Sequence, residues 1–94
     1  MTNKSEQRKR QTTIAVRKLL IKFATDQDEG IMENCAIING VVMMDLKHFA
    51  ELYGCTVVYI KHAMKVGFGM SAVDKVCDIF DITHSEFYKL GESE

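Results

Sequence analysis

Residues 45–91 are punctuated by four helix-start signals, which restrict the chain to short helices joined by tight turns. Asp45 can cap a helix over 46–53, with Met44 and Phe49 placed as a hydrophobic staple. Gly54 stops that helix, and Thr56 caps the next, with Cys55 and Ile60 in the staple positions. The second helix runs to about Val66, ahead of Gly67-Phe68-Gly69. Ser71 is placed to cap a third, with Asp74 at the capping-box position and Val73, Val76, Cys77 and Phe80 on its apolar face. Thr83-His84-Ser85-Glu86 is a full capping box with Ile82 and Phe87 as staple, and Gly91 ends the short helix it opens.

Upstream the pattern changes. Residues 1–12 are polar and basic and read as a flexible arm. From Thr13, the apolar residues Val16, Leu19, Leu20, Phe23 and Ala24 recur at spacings of three and four, the stripe of an amphipathic helix. Acidic residues and a glycine end it near Asp28–Gly30. In Ala36-Ile37-Ile38-Asn39-Gly40-Val41-Val42-Met43, an Asn-Gly pair separates two β-branched runs, which predicts a hairpin over about 35–43. Both strands are apolar at nearly every position, so the hairpin must pack on helices, on a second chain, or on both. The expected fold is mainly α: an N-terminal helix, an inserted β-hairpin, then a core of four short helices. One domain over 13–91 and a tail at 92–94 account for the chain.

Composition narrows the function. A chain of 94 residues holds one domain at most, and 47% apolar with 27% charged residues describes a folded chain rather than a disordered one. No apolar run approaches the roughly 18 residues of a membrane span, and no secretory signal is read at the N-terminus. Cys35, Cys55 and Cys77 leave one thiol over in any disulfide scheme, which points to a reducing, cytoplasmic setting. There is no C-x-x-C or H-x-x-x-H pair, and Cys55 and Cys77 fall at core positions, so neither metal nor cofactor is expected. An enzyme is not expected either. His84-Ser85-Glu86 are adjacent in a first helical turn and cannot form a nucleophile–base pair, and Gly67-Phe68-Gly69 lacks the residues of a phosphate loop. Met32, Met43, Met44, Met64 and Met70 read as gap-filling core.

The net charge of −1 hides a partition. Residues 1–22 carry seven Lys or Arg and one Glu, a net +6, and residues 23–45 carry five carboxylates and no Lys or Arg. Residues 46–65 return to +2 and residues 66–94 fall to −4. A protein that binds a polyanion needs its positive charge on one surface rather than a basic average.

The first two short helices form a recognisable unit. Ala50 lies in the first, Gly54 follows four residues later in the joint, and Ile60 lies six beyond in the second. Two helices crossing at about 90–120° leave no room for a large side chain at the crossing, where alanine sits. The turn favours a residue at ease with positive φ, and the second helix needs a buried aliphatic residue to lock against the first. Phe49, Tyr53, Ala63 and Met64 complete the inside.

With its stretches "LKHFAELYGCTVVYIKHAM" and "MSAVDKVCDIFDITHSEFYKLGE", Leu46 to Gly91 resembles the helix-turn-helix core of the phage Cro/repressor type, the lambda-repressor-like XRE family. The resemblance implies a DNA-binding transcriptional regulator, usually dimeric, with its second motif helix (about 57–65, in a motif spanning 46–65) in the major groove. The chain departs from the family in the hairpin inserted between Gly30 and Met44, and in lacking the glutamines often found at the starts of the two motif helices.

On the recognition helix, the residues left outward are Thr56, Val57, Val58, Lys61, His62 and Lys65. Lys61 and Lys65, four apart, can reach phosphates or guanine edges from one face. Thr56 can donate to a phosphate. Val57 and Val58 either lie against thymine methyls or are buried against the hairpin or a partner. His62 is either plain surface or a phosphate contact when protonated. Arg8-Lys9-Arg10 either tracks the duplex as a clamp or stays a solubilising tail. Double-stranded DNA and a second copy of the chain, joined through the hairpin, are the expected partners. A protein-interaction module on the same fold, such as an antitoxin or antirepressor, is the competing expectation.

Overall fold

The computed structural model describes residues 4–27 and 33–92, with side chains from Gln7 onward. The chain forms α1 (Lys4–Thr25), β1 (Cys35–Ile38), β2 (Val41–Met44), α2 (Leu46–Tyr53), α3 (Val57–Val66), α4 (Met70–Phe80) and α5 (His84–Leu90). The fold is mainly helical, with one antiparallel hairpin inserted after the first helix, as the sequence predicts. Among the described residues no helix is long and apolar enough to cross a membrane.

The local signals act where they stand. Asn39 and Gly40 both adopt positive φ, 51° and 79°, the requirement of a type I′ hairpin turn. The resulting register pairs Ile37 with Val42 and Ile38 with Val41. Asp45 accepts the N–H of Lys47, and Thr56 accepts that of Tyr59. Thr83 and Glu86 form the reciprocal capping box. Each such cap is worth about 1 kcal/mol.

One core binds these elements. Val16, Leu19 and Leu20 of α1, Met43 and Met44 of β2, Phe49 and Ala50 of α2, Ile60 and Ala63 of α3, Val73 and Val76 of α4 and Phe87 of α5 are all buried in it. α1 is the central rod: it packs against β2, α3, α4 and α5.

Three expectations are corrected. The first concerns the arm. Residues 4–12 are not a flexible arm; they are the first turns of α1, which begins at Lys4 instead of Thr13, and residues 1–3 lie outside the described residues. Tertiary contact supplies what the local sequence lacks. Thr12 is only 2% exposed, and its hydroxyl accepts the N–H of Phe68 at 2.9 Å. A Cβ on Gly67 would stand 2.5 Å from Lys9 Cβ, and one on Gly91 would overlap the Gln11 carbonyl oxygen. The two glycines open the space into which this half of α1 docks.

The second correction concerns the start of α4. It begins at Met70 with Gly69 as N-cap and no side-chain cap, rather than at Ser71. Phe68 is buried and tied to Thr12, so the chain is already turned into the helix before Ser71 is reached. Asp74 forms no capping box; its carboxylate meets His84 Nε2 of α5. The third concerns Met70, which is 81% exposed and no part of the core, because it opens α4 on the solvent side of Phe68. Of the other methionines, Met43 and Met44 are buried, Met64 is half-buried, and Met32 lies outside the described residues; α1 ends at Thr25, ahead of the expected Asp28–Gly30.

Candidate nucleic-acid interface

α2 and α3 meet through a turn whose geometry follows from one residue. Gly54 ends α2 in the left-handed region, at φ 87° and ψ 36°. The N–H groups of Gly54 and Cys55 both donate to the Ala50 carbonyl, at 2.8 and 3.0 Å. A side chain at Gly54 would meet no atom within 4 Å, so the demand there is conformational and not spatial. Ala50 and Ile60 are buried at the crossing beside Phe49 and Ala63, with Tyr53 and Met64 half-buried at its edge. The alanine–glycine–isoleucine spacing thus does what its chemistry implied.

The exposed residues of α3 fall into a pattern. Val58, Lys61, His62 and Lys65 stand at positions i, i+3, i+4 and i+7, one stripe of a helix, and all four are exposed. Val57, Ile60 and Met64 form the opposing stripe and pack on the core. This separates the two valines: Val58 is 77% exposed, while Val57 is half-buried against the core. No residue of α3 carries a carboxylate. Thr56 is exposed, and its oxygen accepts the N–H of Tyr59. The hydroxyl proton remains to donate outward.

Arg8, Lys9 and Arg10 are exposed on α1. They sit at a place the sequence did not announce, because Lys9 lies against Gly67, two residues beyond Lys65. A groove of about 720 Å³ runs here, lined by Arg8, Lys9, Gly67, Gly69 and Met70 among others. It includes the start of α4, whose first N–H groups have no side-chain cap. Backbone donors at a helix N-terminus beside two cations suit a phosphate oxygen.

Three further residues escaped sequence reasoning. Lys47 is exposed in the first turn of α2, next to its cap, and that position was a usable signal. Tyr59 is exposed and stacks at 5.7 Å on Tyr53, whose ring carries Lys75 Nζ at 4.9 Å. No local pattern links α4 to this ring pair. Burial, reinforced by Tyr59, pushes the Tyr53 hydroxyl well above its ordinary range. Burial also raises the Cys55 thiol beside it, although Lys75 opposes the shift. These groups stay neutral at neutral pH and act as packing around the turn. The chain matches no protein-family model, no curated protein and no solved structure.

Proposed function

We propose that this chain is a sequence-specific DNA-binding transcriptional regulator, a repressor, that sets α3 in the major groove and works as a dimer in the cytoplasm. The observation that carries the reading is the exposed stripe of Val58, Lys61, His62 and Lys65 on a carboxylate-free helix joined to α2 by the left-handed turn at Gly54. Such a helix offers cations to phosphates or guanine edges and an apolar contact to a thymine methyl. Arg8 and Lys9, with the uncapped start of α4, extend the positive surface beyond the end of α3 and add sequence-independent affinity. The likeness of residues 46–91 to the phage Cro/repressor type supports the same assignment.

The test is selection of bound sites from random duplex DNA. An enriched palindrome with half-sites about one helical turn apart is expected. Recovery of no preferred sequence, together with no retention of any duplex at low salt, removes the assignment.

One observation favours a second reading, a protein-interaction module such as an antitoxin or antirepressor. Ile37 is 74% exposed and pairs across the hairpin with Val42, also exposed, leaving an exposed apolar pair on the hairpin. In the DNA-binding reading the same patch joins two copies of the chain.

A further inference from the structure

A cleft of about 820 Å³ opens between the C-terminal half of α1 and α5. Its floor is apolar: Leu19 and Phe23 from α1, Phe80 from the end of α4, Ile82 from the joint, and Leu90 from α5. Lys18, Lys22 and Lys89 stand around it with two carboxylates, Asp26 and Glu86. Both carboxylates are engaged. Asp26 takes Lys22 Nζ at 3.1 Å, and Glu86 Oε1 accepts the N–H and hydroxyl of Thr83 at 3.2 and 3.1 Å. Lys89 pairs with no carboxylate among the described residues.

We propose that this cleft is a binding site for a small amphipathic anion, an alkyl or aryl carboxylate whose tail lies on the floor and whose headgroup meets Lys89. The site is independent of the DNA-binding reading. Size and shape favour a small molecule. The volume falls in the roughly 300–1,000 Å³ range of ligand pockets. None of the strongly exposed large apolar side chains (Ile37, Val42, Leu52, Val58, Tyr59, Val66, Met70) belongs to the cleft, so its apolar surface is recessed, unlike a flat protein-docking patch. Charge fixes the headgroup. The rim carries three lysines against two carboxylates, a net positive charge that favours an anionic head over a cationic one. The floor also reaches the motif: the Phe23 ring stands 6.0 Å from His48 and the Phe80 ring 6.1 Å from Phe49, both on α2. An occupant therefore rests on the residues that seat the first motif helix.

The test is an amide chemical-shift titration of the full ¹⁵N-labelled chain with decanoate and decyltrimethylammonium below their micelle concentrations and decanol below its solubility limit. Decanoate is expected to bind saturably and to move the amides of Leu19, Phe23, Ile82 and Leu90, roughly tenfold more tightly than decanol, the worth of one charge-assisted hydrogen bond. Octanoate is expected to bind about tenfold more weakly than decanoate, for two methylenes fewer. Lys89→Gln, an exposed position whose spectrum reports its own fold, is expected to bring decanoate down to decanol while leaving decanol unchanged. Four results would overturn the proposal: equal affinity of alcohol and carboxylate, tighter binding of the ammonium, no saturable binding, or shifts confined to other parts of the chain. Cleft amides that move with protein concentration alone would make this face a contact between copies and overturn it as well.

Discussion

Thr12 and Phe68 are joined across 56 residues by one hydrogen bond: the Thr12 hydroxyl donates to the Lys9 carbonyl at 2.6 Å and accepts the Phe68 N–H at 2.9 Å. Both residues are buried, so neither polar group has water as a substitute. The bond clamps α1 to the junction of α3 and α4. Thr12→Val keeps the shape and orphans the Phe68 N–H, at a cost of about 1–3 kcal/mol. Thermal unfolding is expected to show a melting point lower by at least about 4 °C. An unchanged melting point would mean that the clamp contributes nothing.

Close approach makes Gly67 and Gly91 costly to replace. Gly67→Ala forces Lys9 away and strains a backbone at φ 106°, and Gly91→Ala pushes against the Gln11 carbonyl. Each is expected to cost more than Gly54→Ala, which meets open space and bears only the conformational penalty of roughly 1 kcal/mol. Denaturant midpoints of the three variants give the ranking. If Gly54→Ala proves the most damaging, the docking of α1 is misplaced.

On the proposed DNA-facing stripe, Lys61→Ala and Lys65→Ala are each expected to weaken duplex binding and to lower the salt slope by about one where a phosphate contact is lost. Val57→Ala is expected to act on stability and Val58→Ala on sequence preference. Fluorescence anisotropy across a salt series, with melting curves alongside, separates the two effects.

For the hairpin, the register decides which residue tests self-association. Ile38 and Val41 pack against the core, so a charge there unfolds the chain and says nothing about partners. Ile37 and Val42 are the exposed pair. Ile37→Glu is expected to leave helicity intact and to convert a dimer to monomer by sedimentation equilibrium. A chain that is monomeric before the substitution removes the hairpin interface from the proposal.

Alkaline stability follows from the buried acids. Burial raises the Cys77 thiol from its ordinary 9.0, and Asp74, Asp78 and Glu86 add to the shift. The folded state therefore holds a proton that the unfolded chain gives up. The contribution is present in full below about pH 9 and is lost between there and the raised folded value. Tyr53 acts in the same direction from its ordinary 10.0. Stability is expected to fall from about pH 9 upward, and Cys77→Val to make the first part of that fall shallower. A parallel decline in both proteins would place the titrating group elsewhere.

Much of the fold was legible because its causes act within four residues. Asp45, Thr56 and Thr83 cap the helices they precede, and Asn39-Gly40 makes the turn its dihedral preference requires. Even Val57 against Val58 was decidable in principle, since counting from Ile60 in steps of three and four assigns one valine inward and the other outward. The basic segment misled for the opposite reason. Its polar residues show no strong apolar stripe, and its helix depends on Phe68, Gly67 and Gly91, which no local window contains.

The order of residues alone determined where α2, α3 and α5 start and stop, the tight turn at Gly54 and the hairpin register, because backbone dihedral preference and side-chain capping are short-range. Tertiary packing alone decided that the Arg8–Arg10 segment is helical and lies by the end of α3, that Lys75 covers Tyr53, and that α1 and α5 part to leave an apolar cleft. Those outcomes depend on which surfaces meet when separate rods bury their apolar stripes together, and that energy is shared among residues far apart in the chain.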